Sequence, residues 1–285
     1  MRGQLLRFHY TLEARKGGLL RGHQGRTSSG VNEDGQFRYS EQAAVRSVRA
    51  LLITAPAIII MTIVMGTISL ITSLFDATGR KQHNLARVWS RLLLKIGRVR
   101  AETEGVGKLD PTRPYVLAAN HCSYMDTPLV LGSIPLDFRF FAKQGLFLIP
   151  LLGTHLKRAG HIPVIRDNPR AAIKTLSEGA RLIRERNISV LLFPEGGRSE
   201  RDLLEFKEGA AYVAIKAGVP IVPLGIVGTR EVLPMHSWNV RPGRARLLVG
   251  DPIETTGMVL HDRAALTQTV RDKIAELIGE PVPVL

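Results

Sequence analysis

The sequence predicts an α/β fold: one domain with a central mixed sheet flanked by helices, preceded by an N-terminal membrane-associated helical segment. Three observations support this prediction. Short β-rich runs alternate with longer helical stretches beyond residue 110. An uncharged apolar stretch precedes that region, at 51–75. The chain has 285 residues, 45% of them hydrophobic, which is enough for the core of one full α/β domain.

The first 42 residues are rich in Arg, Gly, Ser and Gln and show no sustained apolar period, which is typical of a mobile basic extension. Residues 1–100 hold 16 Lys or Arg against 5 Asp or Glu, whereas residues 101–285 hold 23 against 20. The net charge of +14 is therefore concentrated in the N-terminal third. A nearly neutral remainder without interleaved aromatic residues argues against nucleic-acid binding.

The apolar stretch at 51–75 predicts a membrane helix, because a helix of that length reaches about 37 Å and can cross a bilayer core. The alternative is a buried helix of a globular protein, but such helices seldom exceed about 14 apolar residues. Lys and Arg are plentiful on both flanks, so the positive-inside rule gives no orientation. A single span and a helix that dips in and returns to the same face both remain open.

Residues 82–97 predict an amphipathic helix, with apolar side chains at three- and four-residue intervals and basic ones between them. Such a helix either lies in the head-group layer or packs its apolar stripe on the globular domain. We therefore assign 1–42 to the basic extension, 43–100 to the membrane helix and the amphipathic helix, and 101–285 to the α/β domain. The stripe consists of Leu85, Val88, Trp89, Leu92 and Ile96.

The α/β domain is predicted to contain six strands and four helices. Strands are inferred from short β-rich runs, and helices from longer stretches of helical periodicity. Strands are expected at 115–119, 138–142, 162–165, 189–193, 221–226 and 245–249, and helices near 127–133, 169–186, 208–217 and 262–278.

A histidine and an aspartate follow the first strand, in the run NHCSYMD at 120–126. His121 falls at the end of a strand, where α/β folds place their working residues. A carboxylate five residues later can fold back through the turn to hold Nδ1, which leaves Nε2 as a general base. Asp126 also fits the N-cap of the next helix. A histidine and an aspartate five residues apart are common enough to arise by chance, so the pair alone does not establish a catalytic site.

A glycine pair follows another apolar strand, in the run FPEGGRS at 193–199. The amides of Gly196 and Gly197 can cradle an oxygen, and Arg198 would project a cation and donor fork toward an anion such as phosphate. The alternative is a surface turn with a solvated arginine. Lys143 and Arg166 add two cations between the clusters, although each alone is an ordinary surface residue.

These blocks together resemble the 1-acylglycerol-3-phosphate acyltransferases, also called lysophosphatidic acid acyltransferases. Four blocks match in the family's order: His121 with Asp126, then the runs GHIPVIR at 160–166, FPEGGRS at 193–199 and VPIVP at 219–223. The likeness extends from about residue 82 to residue 250. It identifies 101–285 as an acyltransferase domain.

The resemblance implies transfer of a fatty acyl group from a thioester, acyl-CoA or acyl carrier protein, to the sn-2 hydroxyl of 1-acylglycerol 3-phosphate, giving phosphatidic acid. His121 would be the base and Asp126 would fix its tautomer, with no acyl-enzyme, cofactor or metal required. Backbone around Glu195 and Gly196 would bind the oxyanion. Binding of the acceptor is assigned to Lys143, Gly160, Arg166, Glu195, Gly196 and Arg198.

Three positions depart from the family's pattern. Gly197 replaces a threonine, Ile165 an aspartate and Gly145 a glutamate. None removes a catalytic group, but two of them lie in the blocks that are thought to contact the acceptor in this family. Another acceptor, such as a lyso-ornithine lipid or another lysophospholipid, is therefore the main alternative.

Two other classes of function are compatible with parts of the sequence. Cys122 beside His121 would serve a thioesterase or an acyl-enzyme route, although a small packing residue is the simpler interpretation. A basic membrane tether without enzymatic activity would use residues 1–49. As an acyltransferase, the protein is expected at the inner (cytoplasmic) membrane, in contact with membrane lipids and with its catalytic domain facing the cytoplasm.

Overall fold

A mixed seven-stranded sheet organises the α/β part of the chain. The structure is a computed structural model that describes residues 48–165, 168–237 and 239–280. The basic extension predicted at 1–42 lies outside the described residues. The strands are β1 Val99–Glu104, β2 Val116–Ala119, β3 Phe138–Lys143, β4 Ile162–Val164, β5 Ser189–Leu192, β6 Ile221–Val227 and β7 Gly243–Val249.

The strand order is β1-β7-β6-β2-β5-β3-β4, and the five strands from β6 to β4 run parallel to their neighbours. Strand β7 is antiparallel to β6, and β1 is parallel to β7. The predicted mixed sheet and its six predicted strands are confirmed. The carboxyl ends of the five parallel strands all lie along one edge, which we call the carboxyl edge.

The seventh strand, β1, was not predicted. Its sequence VRAETE places charged residues at every second position, and it forms the outer edge of the sheet. Glu104 pairs with Arg246 of β7 at 2.8 Å. A charged edge strand lacks the apolar run that reveals a central strand such as β2, whose four residues are all buried.

Helices cover both faces of the sheet, and the four helices predicted for the α/β domain are confirmed. Helices α2 and α3 contribute Leu94, Leu129 and Val130 to the core on one face. Helices α5, α6 and α8 build the core on the other face. The helices are α1 Ala50–Thr72, α2 Arg80–Ile96, α3 Asp126–Ser133, α4 Leu152–Arg158, α5 Pro169–Arg186, α6 Gly209–Ala217, α7 Thr229–Val232 and α8 Arg263–Ile278.

Helix α1 is the apolar helix predicted near 51–75. It is long and apolar enough to cross a membrane, with a mean hydropathy of 2.3, and only 6% of its apolar window is buried. Its first turn, Ala50–Thr54, is π-helical and ends just before Pro56, which lacks the N–H of a regular turn. The helix then continues through Gly66 without interruption.

Helix α2 packs on the α/β domain through only part of its predicted apolar stripe, since Trp89 lies against the core on this face of the sheet. The buried side contains His83, Leu93 and Leu94, and His83 Nε2 lies 3.1 Å from the carbonyl oxygen of Leu136. In the stripe, Val88 is 47% exposed and Leu92 is 39% exposed. These two members of the stripe are exposed, whereas Leu85, Trp89 and Ile96 are partly buried.

Candidate active site

Three neighbouring strands of the carboxyl edge supply the candidate active site. Strand β2 pairs with β5 on one side and with β6 on the other. His121 follows β2, Glu195 follows β5 and Thr229 follows β6. The loops beyond these strand ends converge because the strands are parallel and hydrogen-bonded in register.

His121 and Asp126 form the predicted pair. His121 Nδ1 lies 2.7 Å from Asp126 Oδ2, and the Asp126 side chain is fully buried. Because a carboxylate only accepts hydrogen bonds, Nδ1 carries the hydrogen and Nε2 is the basic atom of the ring. The pair therefore has the geometry that a general base requires.

The backbone around Asp126 explains why its carboxylate reaches back to the histidine. Asp126 is the first residue of α3 rather than its N-cap, so the N-cap interpretation is not the one observed. The amides of Cys122 and Ser123 donate to Oδ2 at 2.7 and 2.8 Å. These two backbone hydrogen bonds fix the position of Oδ2 beside the histidine ring.

Thr229 completes the surroundings of Asp126, and the sequence did not predict it. Its hydroxyl donates to Asp126 Oδ1 at 2.6 Å, and the threonine is fully buried. Gly228 precedes it with φ +84°, and a Cβ there would lie 2.3 Å from the carbonyl oxygen of Arg244. Only glycine therefore permits the close turn from β6 that delivers Thr229 to the site.

Phe193 and Glu195 hold His121 from the side of β5. The rings of Phe193 and His121 stack with centroids 3.9 Å apart and planes 15° apart. Glu195 Oε1 accepts from the amide of His121 at 2.6 Å, and Oε2 accepts from the amide of Leu204 at 3.1 Å. Burial raises the pKa of Glu195 to about 7, although both amides act in the opposite direction.

The surroundings of Cys122 do not suit a nucleophile. It is buried, and its Sγ lies 3.2 Å from the hydroxyl oxygen of Thr229. Burial, followed by the charge of Asp126, raises the pKa of the Cys122 thiol to about 12. A thiol with such a pKa is protonated at neutral pH and is not activated for attack, which disfavours the thioesterase alternative.

Arg198 is the predicted anion-binding cation nearest in sequence to Glu195. Its guanidinium lies over the Tyr124 ring, 3.9 Å from the centroid, so the two sequence clusters meet through this stack. Among the described residues, its buried Nε has no hydrogen-bond partner. The adjacent Ser199 amide donates to the carbonyl oxygen of His121 at 2.8 Å, which ties the arginine loop to the histidine.

The turn at Gly196 has a different arrangement from the expected oxygen cradle. Its amide donates to the carbonyl oxygen of Phe193 at 3.0 Å, within the turn itself. Gly196 has φ +71°, and a Cβ there would come within 2.9 Å of Lys207 Nζ. Lys207 is therefore a further cation beside the glycine turn, which the sequence did not predict.

The other predicted substrate residues lie farther along the carboxyl edge. Lys143 ends β3, two strands from β2, which corresponds to about 10 Å. Gly160, with φ +78°, forms the turn before β4 beside the buried Arg139. Arg166 lies outside the described residues. Their assignment to substrate binding stays a prediction.

Arg230 is a cation that the sequence did not predict, on the β6 side of His121. Its guanidinium donates to the carbonyl oxygen of Ser199 at 3.4 Å. Like that of Arg198, its Nε is buried and has no hydrogen-bond partner in the described part of the chain. Arg198 follows β5 and Arg230 follows β6, the two strands that flank β2, and Arg230 contacts the loop that carries Arg198.

Comparisons with known proteins identify the family that the chain resembles. The acyltransferase family matches residues 100–227. A chloroplastic 1-acyl-sn-glycerol-3-phosphate acyltransferase of Brassica napus is 30% identical over 81% of this chain and 66% of its own. The alpha form of that enzyme from Mus musculus is 30% identical over 64% of this chain and 65% of its own. The aligned regions span just under two thirds of these relatives.

A solved structure shares the fold. The crystal structure of the 1-acyl-sn-glycerophosphate (LPA) acyltransferase PlsC from Thermotoga maritima matches with a TM-score of 0.67 and 26% sequence identity. The match covers 81% of this chain and 97% of the Thermotoga chain. This chain therefore belongs to the acyltransferase family, together with the 1-acyl-sn-glycerol-3-phosphate acyltransferases that it matches.

Proposed function

We propose that this chain transfers a fatty acyl group from an acyl thioester to the sn-2 hydroxyl of 1-acylglycerol 3-phosphate, producing phosphatidic acid. The observation that carries the proposal is the buried His121–Asp126 pair, whose carboxylate is held by two backbone amides and the Thr229 hydroxyl. The matched relatives carry the name of this reaction, and the pair provides the base that it needs.

His121 begins the reaction by removing the proton of the sn-2 hydroxyl through Nε2. The resulting alkoxide attacks the thioester carbonyl, so that a C–O bond forms while the oxyanion develops. The C–S bond then breaks, and the thiolate leaves with the proton that His121 had taken. Asp126 stabilises the imidazolium during these steps, and a positioned base of this kind contributes about 10² to 10⁴ in rate.

This scheme requires no acyl-enzyme, metal or cofactor. The acyl donor, acyl-CoA or acyl carrier protein, is a co-substrate. Oxyanion stabilisation is assigned to backbone amides of the loop after β5 that are not used within its own turn. The amide of Gly196 donates to Phe193, which leaves the amide of Gly197 as the better candidate.

The acceptor's phosphate is assigned to the cations around the carboxyl edge. Arg198 is the firmest candidate, because its guanidinium lies over the Tyr124 ring and it belongs to the loop that contacts His121. Lys143 and Arg166 remain predicted contacts, with Gly160, Glu195 and Gly196 shaping the surrounding backbone. Arg230 is an additional candidate from the opposite side of β2.

Membrane attachment follows from the substrates, since the acceptor and the product are lipids. Exposed apolar side chains cover α1, and the half-exposed stripe of α2 lies beside it. Trp89 of α2 donates to the Thr62 hydroxyl of α1 at 3.0 Å, so the two helices are joined. We propose that both helices contact the cytoplasmic leaflet and that the catalytic domain faces the cytoplasm.

The decisive test is an acyl-transfer assay on membranes that contain the expressed chain. Radiolabelled oleoyl-CoA or oleoyl-acyl carrier protein is offered with 1-oleoylglycerol 3-phosphate, lysophosphatidylethanolamine or a lyso-ornithine lipid. Labelled phosphatidic acid is expected with the unchanged chain and should be absent with His121→Ala. The exposed His261 gives a matched control, since His261→Ala should retain activity. Acylation of another acceptor only, or full activity of His121→Ala, would refute the proposal.

A further inference from the structure

An exposed apolar segment lies between β3 and α4, apart from the site described above. Residues 144–156 contain no Asp, Glu, Lys or Arg. Leu148 is 80% exposed, Leu151 is 56% exposed and Ile149 is 46% exposed. Water contact of such side chains is unfavourable, and a cluster of them marks an interaction surface. We call residues 146–152 the apolar loop.

The apolar loop has a defined backbone that turns these side chains outward. Phe147 is buried and anchors it, and a Cβ on Gly153 would come within 2.1 Å of the carbonyl oxygen of Phe147. The Gly153 amide donates to the carbonyl oxygen of Ile149 at 2.7 Å. Leu151 has φ +62°, an unfavourable conformation for an exposed leucine. The fold thus maintains this exposure at a cost.

The apolar loop continues the apolar surface of α1. Helix α4, which follows the loop, carries His155, whose Nδ1 lies 2.8 Å from the hydroxyl oxygen of Ser69 in α1. Arg158 of α4 donates to the hydroxyl of Ser73 at 3.0 Å. Just past the end of α1, Phe75 is 77% exposed. The two surfaces therefore adjoin at the C-terminal end of α1.

The flanking charges fit a lipid bilayer. Lys143 precedes the loop, and Lys157 and Arg158 follow it, all three exposed. Apolar side chains between cations match the arrangement in which aliphatic groups enter the acyl region and basic groups meet phosphates. We propose that the apolar loop is a second membrane-inserting surface, which together with α1 holds the β3–β4 end of the carboxyl edge at the bilayer.

The consequence concerns access of the acceptor. A cavity of about 360 Å³ opens beside the loop, lined by Phe147, Leu148, Lys157 and Pro163, among others. Lys143 lies at the same sheet edge as His121. It immediately precedes Gln144, one of the residues that line the cavity. An inserted loop would let a lipid acceptor reach this edge without leaving the leaflet. The inference rests on the proposed membrane attachment through α1.

Site-specific fluorescence on the full chain tests the inference. Cysteine is introduced singly by Leu148→Cys, Ile60→Cys or Ile173→Cys and labelled with an environment-sensitive fluorophore. Cys122 should resist labelling because it is buried and its thiol stays protonated. Each protein is reconstituted into phosphatidylcholine vesicles with a minority of phosphatidylglycerol, and quenching by acyl-chain spin labels is measured.

Position 60 reports on α1, where Ile60 is 63% exposed, and position 173 on α5, where Ile173 is 53% exposed. The expected result is strong quenching at 148 and 60 and little at 173. Quenching at 60 without quenching at 148 would overturn the loop insertion and leave the attachment of α1 intact. Absence of quenching at both positions would overturn both ideas.

Activity provides a second measurement. Ile149→Glu, at a position of the apolar loop outside the cavity lining, should lower kcat/KM about tenfold for an acceptor embedded in vesicles, because a charge opposes insertion. The same variant should leave turnover of a short-chain, monomeric acceptor unchanged. Ile173→Glu is the matched control, because Ile173 is an exposed apolar residue of α5 that lies outside the apolar loop. Equal activity of Ile149→Glu and Ile173→Glu on vesicles would contradict the inference.

Discussion

Replacement of Asp126 by asparagine isolates the charge of the catalytic pair from its geometry. Oδ2 takes all of the N–H donors, from His121, Cys122 and Ser123, whereas Oδ1 faces the hydroxyl of Thr229. An asparagine can place its oxygen at Oδ2 and its amide at Oδ1, where the threonine hydroxyl can rotate to accept. The histidine tautomer is thereby retained while the negative charge is lost.

The magnitude follows from the separation of the charges. With Nδ1 and Oδ2 2.7 Å apart, the centres of charge lie about 4 Å apart, which gives about 4 kcal/mol at an effective dielectric constant of about 20. Because about 1.36 kcal/mol corresponds to a factor of ten, the largest expected loss is roughly 10³ in kcat. Relaxation of the site reduces it, so we expect a decrease of about 10² to 10³.

The assay measures initial rates of labelled phosphatidic acid formation by purified Asp126→Asn protein, with thermal unfolding as a check of the fold. Asp251→Asn is the control, since that carboxylate is exposed and pairs with Lys108 at the surface. Little effect is expected there. If Asp126→Asn kept more than about a tenth of the activity with an unchanged melting temperature, stabilisation of the imidazolium would not be its role.

Three further predictions concern the surroundings of the pair. Thr229→Val removes a hydrogen bond to a charged group, about 1.5–3 kcal/mol, and should lower kcat with rescue by Thr229→Ser; an active valine variant would contradict this. Burial raises the pKa of Glu195 from 4.5 to about 7, so the folded state holds that proton more tightly than the unfolded chain. The stabilisation that results is complete below about pH 4.5 and is lost as the pH rises through 7. The melting temperature of the wild type, measured relative to that of Glu195→Gln, should therefore fall over that interval. Parallel curves of melting temperature against pH would refute this prediction. Tyr124→Leu should raise KM for the acceptor about 2- to 30-fold but not KM for the acyl donor, while Tyr124→Phe keeps the stack on Arg198; equal changes in both KM values would argue against this role.

The central strands could be predicted because they are buried on both faces and appear as continuous apolar runs. The pair could be predicted from local spacing, since the same turn that separates His121 from Asp126 also joins them. Neither argument reaches β1, whose alternating charges satisfy an exposed edge and leave no apolar signal. The position of a strand at the edge is decided by its partner, not by its own residues.

Contacts between distant loops could not be predicted, because they depend on which strands pair in the sheet. Thr229 meets Asp126 across 103 positions of sequence, and Arg198 meets Tyr124 only after β2 and β5 have paired. The Gly-Thr pair after an apolar strand was a usable signal, but nothing local assigns it to Asp126. In α2, the apolar stripe was correctly located, yet the buried side was chosen by contacts such as that of His83 with Leu136.

The glycine at position 228 has a consequence for any attempt to define a minimal catalytic fragment. The matched family region ends at residue 227, just before Gly228 and Thr229. Gly228 rests against the carbonyl oxygen of Arg244 in β7, a strand without a catalytic side chain. A fragment cut at the family boundary would therefore retain His121 and Asp126 but lose both the hydroxyl beside them and the strand that positions it. The shortest active fragment should extend at least to the end of β7.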